Sequence, residues 1–228
     1  MNKFGQYHKD PEGYEELISR LYEQCPPLEL PSEYARAFKN DLVMLTIRFA
    51  RYKFIARVLC KHDHVLEVGC GYGLGCMFLS QHVRSVIGID AQPDAVAEAR
   101  RLCQASNASF EAVDFFSFAP SMQFDAVVSS DVLEHMTPEV GDKFIQKAAN
   151  HLHPDGTFIL GTPSKYSWEH QSEVSKLSHV HCYDRDEMLE KLNKVFGRVF
   201  PFSMNDELVH TGHPKMAWFY FFLCVGPR

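Results

Sequence analysis

The segment Val65-Leu66-Glu67-Val68-Gly69-Cys70-Gly71-Tyr72-Gly73 constrains this chain more than any other. β-branched and apolar residues suit a buried strand. The three glycines that follow at every second position let the backbone turn tightly and let a ligand come close. Glu67 stands two residues before the first glycine, at the carboxyl end of the strand, where open α/β sheets bind ligands. The spacing also excludes a fold partner. A dinucleotide fingerprint G-x-G-x-x-G starting at Gly69 needs glycine at 74, which is Leu74; one starting at Gly71 meets Cys76 instead. The loop therefore fits a nucleoside ligand without a pyrophosphate better than a nicotinamide dinucleotide.

The pattern around this loop alternates strand and helix. Strands are expected at 64–68, 85–90, 108–112, 124–129 and 157–161, with helices over 73–81, 93–105 and 138–152 between them. Thr137-Pro138 reads as a cap followed by proline in the first turn. Such alternation implies a mostly parallel sheet covered on both faces. Asp184-x-x-Glu187 reads as a capping box, with Tyr183 and Met188 as a hydrophobic staple. After that helix come two strands, 198–203 and 217–225, with no helix between them, which pair most simply antiparallel. Residues 1–60 read as a helical lead-in and 61–228 as the ligand-binding domain. In the lead-in, Asp10-Pro11 opens one helix, Cys25-Pro26-Pro27 and Pro31 end it, and Ser32 caps a second helix carrying Tyr34, Phe38, Leu42, Leu45 and Phe49. Tyr7, Tyr14, Tyr22 and Tyr34 form an aromatic series that suits core packing better than an acceptor pocket.

Two further acids follow at strand ends. Asp90, in Gly88-Ile89-Asp90, lies about 20 residues beyond the glycines, where a carboxylate can accept from ribose hydroxyls. Asp114, in Glu111-Ala112-Val113-Asp114-Phe115, can accept from an adenine amino group while Phe115 lies against the ring. The next strand runs through Asp125-Ala126-Val127-Val128-Ser129-Ser130-Asp131-Val132-Leu133-Glu134-His135.

In order and spacing these motifs resemble the class I S-adenosylmethionine-dependent methyltransferases, and the 125–135 segment resembles the D-x-V-x-x-x-x-V-L-E-H element of the small-molecule branch. The resemblance covers most of 65–196. It implies a Rossmann-like seven-stranded sheet in the order 3-2-1-4-5-7-6, last strand antiparallel, with helices on both faces. It also implies S-adenosylmethionine as cofactor and S-adenosylhomocysteine as product. Carried over by position, Glu67, Gly69, Cys70, Gly71 and Gly73 approach the methionine part. Asp90 holds the ribose, Ala91 or Gln92 lies against the adenine, and Asp114 and Phe115 bind it. Ser130 or Asp131 sits below the sulfonium, and Arg51 is a partner for the cofactor carboxylate, competing with a plain surface role.

A hydroxyl acceptor must lose a proton, and histidine titrates in the right range. His135 is the first candidate for that task, with His179 and His181 as spares. His179-Val180-His181-Cys182-Tyr183 resembles an H-V-R-x-Y segment of the same branch, with His181 in place of Arg. Histidines and a cysteine at this spacing can bind zinc, but no supporting ligands stand nearby in sequence, so no metal is expected. The segment Ser129 to Val132 lacks the N-P-P-Y of nucleic-acid amino methylators.

Composition narrows the partners. A net charge of -6 disfavours a nucleic-acid partner. Seven cysteines, an odd number without a C-x-x-C pair, suit reduced thiols in the cytoplasm. Residues 1–10 are polar and lack the apolar run of a signal peptide. The longest apolar run, 216–225, is too short to span a bilayer and reads as a buried strand. The expected activity is methyl transfer to a small-molecule or sugar-like (glycan) acceptor, on oxygen rather than nitrogen. The alternatives are an N-methyltransferase of a small metabolite, a nicotinamide oxidoreductase, an aminopropyl transferase, or a module that binds the cofactor without catalysis.

Overall fold

The computed structural model describes residues 9–24 and 29–228. The chain divides into two compact units, residues 1–30 and 31–228. The first contains α1 (Pro11–Glu23), capped by Asp10, whose carboxylate accepts from Gly13 N at 3.1 Å. Cys25-Pro26-Pro27, Tyr7 and the first eight residues lie outside the described residues.

The second unit opens with α2 (Ser32–Asn40) and α3 (Leu42–Val58) rather than the one helix expected. Pro31 occupies the cap position and Ser32 is already helical. The break falls at Asp41, whose φ of −154° leaves the helix and whose carboxylate accepts from Met44 N at 2.9 Å. A short acidic side chain competes for main-chain donors in this way, and it favours a new N-terminus over a continuous helix.

Strands and helices then alternate: β1 (His64–Val68), α4 (Leu74–Leu79), β2 (Ser85–Asp90), α5 (Pro93–Leu102), β3 (Ala108–Ala112), β4 (Phe124–Ser130), α6 (Pro138–Asn150) and β5 (Leu152–Pro163). A short helix, α7 (Glu173–Ser178), precedes α8 (Arg185–Val195), β6 (Phe196–Asn205), β7 (Leu208–His210) and β8 (Phe219–Pro227). The capping box of α8 is half-formed. Asp184 accepts from Asp186 N and Glu187 N, but the Glu187 carboxylate turns to His181 instead of back to the cap. The staple is present: Tyr183 and Met188 are both fully buried in one cluster.

The sheet has eight strands in the order β3-β2-β1-β4-β5-β8-β6-β7. The expected order is reproduced, with β8 antiparallel between β5 and β6. The eighth strand corrects the count of seven. Part of the connection after β6 folds back as β7, pairing Ser203 with His210 and Asn205 with Leu208 around a turn where Asp206 takes φ +49°.

Side chains alternate across the sheet with the two-residue period of a strand. Leu66, Val68, Val127, Phe158, Leu160 and Phe222 pack with Phe144, Ile145, Met188 and Leu192 of α6 and α8. Val65, Ala126, Val128, Ile159 and Phe221 pack with Ile55, Cys76, Leu79, Val96 and Ala99 of α3, α4 and α5. Each fully buried large apolar side chain contributes about 1.5–3 kcal/mol. β1 lies between β2 and β4, the point where strand order reverses, and its carboxyl end opens into the crevice this topology creates.

Candidate functional site

Gly69, Gly71 and Gly73 all take left-handed φ, at +79°, +50° and +82°. Their surroundings differ. A Cβ on Gly69 would lie 2.2 Å from Val132 Cγ2, and one on Gly73 would lie 2.8 Å from Ala99 Cβ. One on Gly71 would meet nothing within 4 Å. Gly69 thus lets the bend close against the tip of β4, and Gly73 lets α4 close against α5. Gly71 leaves open space above the bend.

Of the acids at the next two strand ends, Asp90 braces this bend and Asp114 the turn after its own strand. Asp90 accepts from Gly71 N at 2.8 Å and from Gln92 N at 2.9 Å. An ionised carboxylate has about four acceptor positions, so about two remain for ligand hydroxyls. Asp114 accepts from Phe116 N at 2.8 Å, which fixes the turn after β3. Gly69, Asp90, Ala91, Gln92, Asp114 and Phe115 line a slot of about 310 Å³, closed by Val132 and Met136. The Phe115 ring is only 6% exposed and packs 4.8 Å from Phe144, whereas Phe116 at the rim is 40% exposed. The free aromatic face is therefore that of Phe116, which motif reasoning missed although it adjoins Phe115.

Six residues assigned to the cofactor by position, Glu67, Cys70, Gly71, Gly73, Ser130 and Arg51, lie outside the lining of this slot. Cys70 and Gly73 pack inward, and Ser130 donates to Asp131 at 3.1 Å. Glu67 turns toward α3 and α4. Its two oxygens accept from Tyr52 Oη and Cys76 Sγ, both at 2.9 Å. Burial pushes its carboxyl up to about 7, against the opposing pull of those two bonds.

A second cavity of about 580 Å³ adjoins the first. Met44, Ile47 and Arg51 of α3 form one wall, Ser167, His170, Gln171 and His179 a second, and Trp218 and Phe219 a third. Asp131 and His135 line both cavities. Asp131 takes φ +58°, an uncommon conformation that carries strain in a non-glycine residue. Its carboxylate pairs with Arg51 at 2.5 Å, and the Arg51 guanidinium lies 3.8 Å from the centroid of the Phe219 ring. Arg51 thus pairs with Asp131 through one terminal nitrogen and lines the larger cavity, while its Nε is buried without a hydrogen-bond partner among the described residues.

The short turn Leu133–His135 is clasped by the loop before α8. Val180 N and His181 N both donate to the Glu134 carbonyl, at 2.7 and 3.1 Å, and His135 Nδ1 lies 2.9 Å from Ser178 O. This clasp brings His179 beside His135, with ring centroids 5.1 Å apart. Burial, then the neighbouring His135, lowers the His179 pKa. His181 lines neither cavity: its Nε2 bonds Glu187 at 2.9 Å and its ring lies against Tyr183. Glu134 is fully buried, and burial followed by Asp131 pushes its carboxyl up to about 8.

A glycine bend with open space over Gly71, and two strand-end acids with spare acceptor positions in one slot, stand where open α/β sheets bind ligands. Residues 65–156 match the model of a methyltransferase domain. The ubiquinone biosynthesis O-methyltransferase of Bradyrhizobium diazoefficiens is 31% identical over 107 residues, 46% of this chain and 41% of that protein. The fatty-acid O-methyltransferase of Mycolicibacterium smegmatis is 28% identical over 212 residues, 86% of this chain and 75% of that protein. The N-methyltransferase NodS of Bradyrhizobium japonicum, solved with S-adenosylhomocysteine, shares the fold at a TM-score of 0.61 and 18% identity, covering 80% of this chain and 88% of that one. Residues 65–156 are thus similar to a methyltransferase domain, and the fold around them is that of solved methyltransferases such as NodS. It spans about half the length of the first curated relatives it matches. Among the described residues, no helix is long and apolar enough to cross a membrane.

Proposed function

We propose that this chain transfers a methyl group from S-adenosylmethionine to a hydroxyl oxygen of a small or sugar-like molecule. The observation that carries the reading is a pair of adjoining cavities of about 310 and 580 Å³ whose shared wall is Asp131 and His135. Both volumes lie within the range of small-molecule sites. When bound, the cofactor supplies a methyl carbon already activated by positive sulfur, so the protein's task is alignment and exclusion of water.

Asp90 and Asp114 would hold the ribose and adenine, with Phe116 rather than Phe115 offering the ring face. The open space over Gly71 would take the amino-acid end. Asp131, pinned by Arg51, shapes the passage between the cavities. His135 is the group we assign to the acceptor's reacting hydroxyl. Its Nδ1 lies against the Ser178 carbonyl, so the proton sits on Nδ1 and Nε2 is left as the free nitrogen. The net charge of -6 favours a small acceptor over nucleic acid. The free thiols of Cys60, Cys70, Cys76, Cys103, Cys182 and Cys224 favour a reducing compartment, the cytoplasm.

The test has two stages. Calorimetry with S-adenosylhomocysteine should show one site per chain, and labelled S-adenosylmethionine with a metabolite library should yield a product heavier by one methylene, with the label on oxygen. His135→Ala should lower turnover about 100-fold or more while leaving S-adenosylhomocysteine affinity intact. Absence of cofactor-product binding would remove the reading; a label on nitrogen would leave the fold and change the acceptor.

A further inference from the structure

We propose that Glu134, His135 and His179 form a binding site for one divalent first-row metal ion at the floor of the larger cavity. One ligand atom from each of the three lies within 4.8 Å of the others. Opposed ligands of such an ion stand about 4.2 Å apart and tetrahedral ones about 3.4 Å, from bond lengths near 2.1 Å. Closing the 4.8 Å separation by about 0.6 Å for opposed ligands, or about 1.4 Å for tetrahedral ones, completes the site.

What distinguishes this trio from a chance cluster is how each member is held. Glu134 accepts from Thr162 Oγ1 on Oε2 at 3.2 Å, while Oε1 is buried with no hydrogen-bond partner among the described residues. His135 has Nδ1 on the Ser178 carbonyl at 2.9 Å, and His179 has Nδ1 on Gln171 Oε1 at 2.8 Å. Each residue is thus fixed through one polar atom and keeps the other unengaged. Metal-ligating histidines are held in this way, with one ring nitrogen donating to a carbonyl or amide oxygen and the other left for the ion. An orphaned carboxylate oxygen in a fully buried side chain costs stability unless something cationic or hydrogen-bonding meets it. Two imidazoles and one carboxylate are also a ligand set that suits zinc and its neighbours and leaves positions open for a further ligand.

The placement gives the ion a use. His135 and His179 both line the larger cavity, and His135 also lines the cofactor slot. An ion held there would offer its open positions to an acceptor hydroxyl, so that His135 acts as a ligand that fixes the acceptor oxygen through the ion. That last step rests on the methyl-transfer reading; the metal site itself does not. The sequence conceals the site because its ligands stand 45 positions apart, and the compact His179-x-His181-Cys182 run draws the eye to His181, which bonds Glu187 instead.

The test uses the full chain dialysed against EDTA and titrated with Zn²⁺ and, separately, Mn²⁺ by calorimetry. Co²⁺ absorption serves as a geometric readout. One ion per chain should bind, and His179→Ala and Glu134→Gln should each weaken binding at least 100-fold. His179→Ala changes a half-buried loop residue, so it reports even where Glu134→Gln fails to fold. His213→Ala, outside both cavities, should leave binding unchanged. No saturable binding, or binding indifferent to His179→Ala, would overturn the proposal. S-adenosylhomocysteine titrated into the same samples separates the two readings. If it binds while no metal does, only the metal site falls. If metal binds and S-adenosylhomocysteine does not, the methyl-transfer reading falls and the metal site stands.

Discussion

The slot and the larger cavity are built from different kinds of sequence. Each acid of the slot comes from the few residues at the end of its own strand, Asp90 at β2, Asp114 after β3 and Asp131 after β4, beside the bend after β1. The larger cavity gathers α3, the 163–179 segment, β6 and the approach to β8. The first is held by main-chain donors on carboxylates, as in Gly71 N to Asp90. The second is held by ion pairs, Arg51 to Asp131 and Arg48 to Glu33, and by loop-to-turn bonds such as Val180 N to Glu134 O. A ligand common to many proteins can be served by a rigid local frame. An acceptor peculiar to one protein is served by parts that can vary without disturbing that frame.

The bend gives the sharpest way to break this picture. Gly69→Ala places a Cβ against Val132 at 2.2 Å in a backbone at φ +79°. The left-handed conformation costs about 1–2 kcal/mol and the overpacking about 1–3, so a loss of about 3 kcal/mol in urea unfolding is expected, with cofactor-product binding abolished. Gly71→Ala, with nothing within 4 Å, should cost only the conformational part, about 1–2 kcal/mol. Equal losses would mean that the bend is not pressed against the β4 tip.

Glu67 gives a pH signature belonging to the frame rather than the cavities. Its carboxyl is raised from 4.5 to about 7 by burial. The folded chain therefore holds a proton that the unfolded chain releases, and the stabilisation is full below about pH 4.5 and lost as pH rises to about 7. At about 1.36 kcal/mol per pH unit, wild type should lose about 3 kcal/mol across that window relative to Glu67→Gln, which carries no such proton. Parallel curves for the two proteins, measured by urea unfolding at pH 4.5 to 7.5, would show that Tyr52 and Cys76 hold the carboxylate ionised.

Next in size is Asp90→Ala, which removes the acceptor for Gly71 N and the positions left for a ligand. Cofactor-product affinity should fall by about 1–3 kcal/mol in calorimetry. Unchanged affinity would take Asp90 out of the binding surface and leave it as a brace of the bend alone.

The fold was legible because its signals are periodic and local. The strand-helix alternation, the proline and threonine at the start of α6, and the apolar run of β8 all form as their spacing implies. The break at Asp41 and the extra strand β7 were not legible, because each depends on a single main-chain competition that periodicity does not register. In the site, Gly69, Asp90 and Asp114 could be read because one motif carries each. The inward turn of Glu67 could not, since it depends on Tyr52 and Cys76 arriving from α3 and α4. Nor could the pairing of His135 with His179, which depends on the clasp between the Glu134 carbonyl and the 180–181 amides.

The smallest expected effects test the division itself. Phe116 rims the slot at 40% exposure, and Trp218 lines the larger cavity at 52%. Stacking of an adenine on an aromatic ring is worth about 0.5–1.5 kcal/mol beyond area, so Phe116→Ala should weaken S-adenosylhomocysteine binding about 2- to 10-fold. Trp218→Ala removes a ring that stacks on His170 with centroids 6.1 Å apart and that is not among the residues lining the slot. Its S-adenosylhomocysteine affinity should stay within about twofold of wild type, while the spread of acceptors methylated in a library assay should widen as that wall is removed. If Trp218→Ala weakens cofactor-product binding as much as Phe116→Ala does, the two cavities act as one, and the separation between a local frame and a variable acceptor wall does not hold for this protein.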